Sequence, residues 1–278
     1  MKHLALLFTF VYFSFFIGQA FATDPTLEQA EAFADKQQNI LHFTENKGQV
    51  KQTDGEAAPY VQFLLQRGNT NIYLLENGIA WQFNRTHYPE GYEELMANRD
   101  AKPEDREKLE KLEEDVRLET YRMDMHLIDA NPNAIITTEG RSEDFINYYN
   151  HDALEVHHYQ KVTYHNIYPN IDWLIYTTDK GMKYDFALHP GANPNQIRME
   201  FTNHEELYLD EEGNLIQGNS LGRFTEEAPI SYQSGKEIAT HFVLEGSTLR
   251  FAVDAYDSTQ ALTIDPARLW ATYYGGTS

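Results

Sequence analysis

Tyr60-Val-Gln-Phe-Leu-Leu-Gln66, Arg67-Gly-Asn-Thr70, Asn71-Ile-Tyr-Leu-Leu75, Glu76-Asn-Gly78 and Ile79-Ala-Trp-Gln-Phe83 run consecutively, and this stretch decides the fold. Its three apolar runs have strand length and strand composition. Arg67-Gly-Asn-Thr70 and Glu76-Asn-Gly78 between them are turn and tight-hairpin signals. Strands so closely spaced make an antiparallel meander, and alternation puts Ile79, Trp81 and Phe83 on one face of the third.

The same rhythm continues downstream. Strand patterns occur at residues 121–128 and 135–140, and Phe145-Ile-Asn-Tyr-Tyr-Asn150 leads into His157-His-Tyr-Gln-Lys-Val-Thr-Tyr164. Ile171-Asp-Trp-Leu-Ile-Tyr176 and Met182-Lys-Tyr-Asp-Phe-Ala-Leu188 flank a turn at Asp179-Lys-Gly181. A loop with Pro190, Gly191, Asn193 and Pro194 precedes Gln196-Ile-Arg-Met-Glu-Phe201. Leu207-Tyr-Leu209 and Leu215-Ile-Gln217 form a hairpin across Asp210-Glu-Glu-Gly-Asn214, and residues 238–244, 249–253 and 262–264 complete the series. The fold expected is mainly β: an antiparallel β-sandwich or two stacked β units, with one charged helical insertion.

That insertion spans about 88–118. Pro103 stands near a helix start, acidic residues fill the first turn, and Leu109, Leu112, Val116 and Leu118 supply a thin apolar stripe. The pattern covers too few heptads for a coiled coil. A solvated surface excursion is favoured over a partner site.

The two ends differ in kind from the middle. Met1-Lys2-His3 is basic, Leu4 to Ile17 is almost wholly apolar, and Ala20-Phe-Ala22 offers small residues for signal peptidase. Residues 1–22 therefore read as a cleavable signal peptide, the apolar run being shorter than the roughly 20 residues that span a bilayer. A polar segment follows at 23–40, with helical character from Leu27 to Ala34. The β-rich domain covers 41–266 as one or two subdomains. Trp270-Ala-Thr-Tyr-Tyr-Gly-Gly-Thr277 reads as an opening strand met by a glycine breaker.

Composition narrows the function classes. There is no cysteine, which excludes disulfides, a cysteine nucleophile and a lipid anchored through cysteine. A net charge of -21, from 43 acidic and 22 basic side chains, repels nucleic acid and anionic lipid. Eighteen tyrosines and sixteen phenylalanines suit sheets with many half-buried positions.

No motif identifies a reaction. His157 and His158 are adjacent, so on a strand they point to opposite faces and cannot both ligate one metal. His151 to Glu155 lacks the zinc-helix spacing, His165 has no closed ligand set, and surface or interfacial histidine is the preferred reading. Asp172 and Asp185 alternate with Trp173, Tyr184 and Phe186, which places both acids on the solvent side of neighbouring strands. A glycosidase needs two carboxyls at a defined separation in a cleft, and spacing along a chain does not supply one. Asp210-Glu-Glu-Gly-Asn214 lacks the calcium-loop pattern, and a hairpin turn accounts for it. No nucleophile elbow, Walker loop or dinucleotide fingerprint is present. No catalytic, cofactor-binding or metal-binding residue is assigned.

Several ordered motifs carry a resemblance. They begin with Glu45-Asn-Lys-Gly-Gln49 and Tyr60-Val-Gln-Phe63, then Val162-Thr-Tyr-His-Asn-Ile-Tyr-Pro-Asn-Ile-Asp172 and Lys183-Tyr-Asp-Phe-Ala-Leu-His-Pro-Gly-Ala-Asn193-Pro194. Leu207-Tyr-Leu-Asp-Glu-Glu-Gly-Asn-Leu215, Ala228-Pro-Ile-Ser-Tyr-Gln233, Phe251-Ala-Val-Asp-Ala-Tyr-Asp257, Leu262-Thr-Ile-Asp-Pro266 and the Tyr273-Tyr-Gly-Gly-Thr277 end follow. Together they resemble a secreted bacterial domain that stands ahead of SBBP-type β-propeller repeats in large cell-surface proteins, often of gliding Bacteroidota. The resemblance covers about 41–278, except the insertion near 88–118, and brings no catalytic residues. It implies that 267–278 begins a truncated downstream propeller repeat, with that propeller as the partner in the same chain.

The function expected is a non-catalytic structural or interaction module of an exported cell-surface protein, in adhesion, scaffolding or repeat capping. A surface protein or glycan is a further partner, and no cofactor and no stable membrane insertion after leader cleavage are expected. The alternatives are a secreted carboxylate-dependent hydrolase and a carbohydrate-binding module with exposed Trp or Tyr on a sheet face.

Overall fold

The computed structural model describes residues 41–52, 54–98, 102–179, 181–266 and 269–273, the last stretch by its backbone alone. The expected leader, the 23–40 segment and the Gly275-Gly276 breaker lie outside the described residues.

The opening meander forms as its alternation requires. β1 (Phe43–Glu45), β2 (Val61–Arg67), β3 (Thr70–Leu75) and β4 (Gly78–His87) pair antiparallel in chain order. Ile79, Trp81 and Phe83 are buried on the core side of β4. Each such side chain contributes roughly 1.5–3 kcal/mol by leaving water.

β4 continues into a long hairpin with β5 (Arg117–Leu127), in register as far as His87 opposite Arg117. The charged insertion caps this hairpin with two helices, α1 (Tyr92–Ala97) and α2 (Pro103–Glu113), neither of which buries a residue. The helix starts at Pro103 as expected but stops at Glu113. Val116 is outside it, and Leu118 is a strand residue, 65 % exposed. Val116 N bonds Glu113 O in a closing turn and ladder bonds to β4 claim the backbone from Arg117 on, so the apolar stripe is shorter than its spacing suggests.

A second correction concerns 157–164, read as one run. It divides into β8 (Ala153–Tyr159) and β9 (Lys161–Tyr168) around Gln160. β8 pairs with β1 and with β7 (Phe145–Tyr148), whereas β9 pairs with β6 (Ile135–Glu139) and β10 (Ile171–Thr178). The chain thus changes layer at Gln160, whose N–H donates to Glu139 O and whose carbonyl accepts from Thr177 N.

β11 (Gly181–Leu188) follows the expected turn, and β12 (Arg198–Thr202) begins two residues later than its pattern, after a 3-10 turn at Pro194–Gln196. The remaining strands are β13 (Glu206–Leu209), β14 (Leu215–Gly218), β15 (Gly222–Glu226), β16 (Pro229–Gln233), β17 (Lys236–Glu245), β18 (Thr248–Val253), β19 (Leu262–Pro266) and β20 (Leu269–Tyr273). β1, β15 and β16 have no counterpart among the strands expected from the sequence.

Sixteen strands form one hydrogen-bonded order, β6-β9-β10-β11-β19-β16-β17-β18-β12-β5-β4-β3-β2-β1-β8-β7, with every pairing antiparallel. β17 is the bend. Its first half pairs with β16 and its second half, from Thr240, with β18. The two flanks stack face to face over one core, where Tyr164 of β9 donates to Leu75 O and Phe186 of β11 meets Phe251 of β18 edge-on at 5.9 Å. The architecture is a stacked β-sandwich, as expected.

A separate four-stranded sheet, β13-β14-β15-β20, seats Phe224 between Trp81 and Phe83 of β4, at ring distances of 5.3 and 5.0 Å. Among the described residues, no helix is long and apolar enough to cross a membrane.

Candidate functional site

Strand alternation builds the candidate surface. On β10 and β11, Trp173, Ile175, Tyr184 and Phe186 turn into the core, so Asp172, Tyr176, Lys183 and Asp185 turn outward. The acids occupy the outer face of neighbouring strands, as their spacing predicts. Asp172 stands opposite Ala187 and Asp185 opposite Leu174, which makes them diagonal neighbours. Each is engaged by different side chains, so they do not form one pair.

Asp172 anchors a relay across three strands. Its Oδ2 lies 3.1 Å from His165 Nδ1 and 3.2 Å from His189 Nε2, and its Oδ1 accepts from Asn166 N at 2.8 Å. His165 Nε2 in turn meets Thr137 Oγ1 of β6 at 2.8 Å. Asn166 has a positive φ of 50° within β9, and the β9–β10 register shifts beside it. That irregularity turns its N–H toward the carboxylate. Burial pushes the Asp172 carboxyl up, but the Asn166 N–H and the two histidines outweigh it and hold the group below the usual range.

Hydroxyl, imidazole and carboxylate in this order are the elements of a nucleophile, its base and the group that orients the base. No stretch of chain signals the relay, because Thr137, His165 and Asp172 come from three strands. It lies on an open sheet face, with the His165 and His189 side chains 37 % and 53 % exposed. As it stands it locks β6, β9 and β10 together by cross-strand bonds.

Asp185 belongs to a second cluster. Tyr176 Oη donates to its Oδ2 at 3.0 Å, and Lys183 Nζ lies 2.8 Å from Asp265 Oδ1 on β19. Burial, then the Asp265 carboxylate, push Asp185 up to about 6, while the Tyr176 bond and Lys183 oppose the rise. The same burial, with Asp185 beside it, raises the Tyr176 phenol.

The adjacent histidines do separate, as strand geometry demands. His158 Nδ1 meets Thr44 Oγ1 at 2.9 Å and its ring lies 4.1 Å from that of His42. Burial, followed by the His42 and His157 charges, lowers it to about 4. His157 is a correction to the surface reading, being 7 % exposed with its backbone N–H donating to Glu45 Oε1 and its ring Nε2 against Arg141. A left-handed Glu155 (φ 51°) offsets the β8 alternation and turns this ring inward. His151 ends a short 3-10 turn at Tyr149–His151. Asp210 is a turn residue, its Oδ1 accepting from Glu212 N and Asn214 N. Among the described residues, no group of three or more His, Cys, Asp or Glu could hold a metal ion.

Sequence reasoning missed one further group. Gly222 and Phe224 face the core along β15, and the same period carries Glu226 inward, where it is 3 % exposed and accepts from the buried Tyr184 Oη. Burial pushes its carboxyl up to about 7, against the pull of the tyrosine bond. The alternation in Gly222-Arg-Phe-Thr-Glu226 was the available signal.

For sugar stacking, Trp81 and Trp173 are unsuited, since both are core residues. The exposed aromatic side chains include Tyr88, Phe145, Tyr149, Tyr208 and Tyr232, which come from separate elements.

Among known proteins, a family model described as a domain of unknown function (DUF7948) matches residues 43–267. No curated protein and no solved structure matches the chain.

Proposed function

We propose, from the premise that this chain belongs to the DUF7948 family, that it is a non-catalytic structural module of an exported cell-surface protein and leads into a repeat array. The observation that carries the reading is the seat of β20. Its backbone pairs along its whole length with β15, from Leu269 opposite Glu226 to Tyr273 opposite Gly222. The start of the closing aromatic motif, Trp270 to Tyr273, is thereby built into a sheet that packs on the sandwich. β20 is also last in its sheet order, so its far edge carries no strand partner among the described residues. Such an edge is a template for a following strand.

The leader pattern at 1–22 supports export, and the acidic surface supports solubility outside the cell. The deciding experiment reads the gene past the codon for Ser278. Repeated Tyr-Gly-Gly units are expected there, and an immediate stop codon would overturn the reading. A hydrolase is the second reading, and Thr137–His165–Asp172 is the arrangement that favours it.

A further inference from the structure

The four-stranded sheet meets the sandwich through apolar contacts and through a buried polar link. The apolar part is Phe224, wedged between Trp81 and Phe83. The polar part is Glu226 on Tyr184. Both residues of that link are almost fully buried, Glu226 at 3 % and Tyr184 at 2 % exposure.

The surroundings of the carboxyl are neutral. From β11 it is faced by Tyr184, and from β12, behind that ring, by Met199. On its own sheet its neighbours are Phe224 along β15 and Leu215 across on β14, both core residues. Arg223, the cation on β15, lies at an odd offset and turns to the other face, where it pairs with Glu206. Asp185 follows Tyr184 on the outer face of β11, and its charge opposes ionisation of the Tyr184 phenol. Among the described residues, then, no cation faces Glu226 to stabilise a charge taken out of water.

The hydrogen-bond geometry accommodates a neutral acid. Tyr184 Oη has two acceptors in reach, Glu226 Oε1 and, at 3.6 Å, Met199 Sδ, but only one proton to donate. A protonated Glu226 supplies its own proton to Tyr184 Oη and leaves the tyrosine proton for the sulfur. The tyrosine oxygen and the sulfur then each have a donor. An ionised Glu226 takes the tyrosine proton, leaves the sulfur without it, and sits charged in an apolar layer.

We propose that Glu226 is a protonation-operated clasp: its neutral carboxyl fastens the β13-β14-β15-β20 sheet to the sandwich through Tyr184, and its ionisation loosens that sheet. Because Glu226 stands opposite Leu269 in the ladder, loosening reaches the strand through which the chain leaves the domain. The inference does not require a repeat to follow Ser278.

The direction follows from linkage. The carboxyl is pushed up to about 7 from an ordinary 4.5, so docking is firmest below about pH 4.5 and weakens progressively as pH rises from there to about 7. Hydrogen exchange on the full chain, corrected for its intrinsic pH dependence, reads this at the β14 and β15 amides. Protection is expected to hold steady below about pH 4.5, to fall by up to about tenfold per pH unit from there to about 7, and to level off above it. Glu226→Gln is expected to abolish the fall. A flat wild-type profile, or an unchanged fall in the variant, would overturn the proposal.

Two measurements remain decisive should Glu226→Gln not fold. The carboxyl carbon of Glu226 in the wild type is expected to titrate near 7 by NMR, and a midpoint near 4.5 would sink the idea. Tyr184→Phe removes the hydroxyl that supports the ionised form and is expected to move the break at the upper end of the fall to higher pH. An unmoved break would remove Tyr184 from the clasp.

Discussion

Asp185 on β11 and Asp265 on β19 face each other across adjacent strands, one step beyond the Phe186–Ile264 pair, with Lys183 on one and Tyr176 on the other. Two carboxyls this close resist ionising together. The folded protein therefore holds a proton at Asp185 up to about pH 6, where a free aspartate at 3.8 has lost it. A folded value raised in this way gives stability that is complete below about pH 4 and is lost as pH rises through 6. Asp185→Asn removes the loss. Its unfolding free energy at pH 7.5 is expected to exceed wild type by about 1 kcal/mol after solvent screening, and to match it near pH 4. Urea titrations at the two pH values check this, and a variant no more stable at pH 7.5 would count against the coupled pair.

His158 supplies the opposite sign. Lowered to about 4 from 6.5 by burial and by its histidine neighbours, it is neutral in the fold where the unfolded chain binds a proton. Its contribution is present above pH 6.5 and fades as pH falls toward 4. Imidazole proton shifts are expected to show His158 unprotonated at pH 5.5, and a midpoint near 6.5 would show that the ring is open to water.

The Thr137–His165–Asp172 relay separates the structural reading from the enzymatic one. The wild type is expected to hydrolyse p-nitrophenyl esters no faster than buffer, with Thr137→Val and His165→Ala indistinguishable from it. A wild-type rate that drops roughly tenfold or more in both variants would make the relay an active site.

Gly222 tests how the small sheet is seated. A Cβ on this residue would fall 2.6 Å from Phe83 Cδ1, closer than real Cβ contacts allow. Gly222→Ala is expected to cost about 1–3 kcal/mol through overpacking, measured as a lower denaturation midpoint. Adding Phe83→Leu should restore part of the loss. An unchanged midpoint in the single variant would mean that the sheet is not pressed on β4.

The helical insertion is the opposite case. Neither α1 nor α2 buries a residue, and the β4–β5 ladder already reaches His87 and Arg117. Replacing residues 89–115 by an Asn-Gly turn is expected to leave stability within about 0.5 kcal/mol. A thermal scan showing a loss of several kcal/mol would reveal contacts that bind the helices to the domain.

Local features were legible along the chain. Period-two alternation and Gly/Asn turns set β2 to β4, the β10–β11 hairpin and the outward placing of Asp172 and Asp185, because those features depend on neighbours a few residues away. Proline and an acidic first turn marked the start of α2 for the same reason. Tertiary structure decided the rest. Gln160 divides an unbroken strand pattern because β8 and β9 find their ladder partners in different layers. Thr137, His165 and Asp172 meet because β6 comes to lie beside β9, and Asp265 reaches Asp185 because β19, nearly eighty residues later, inserts beside β11. The inward course of Glu226 was legible in its alternation, but its partner Tyr184 was not. Which strand pairs with which is settled by burying one shared apolar core, and that sum over distant contacts is written in no single stretch of chain.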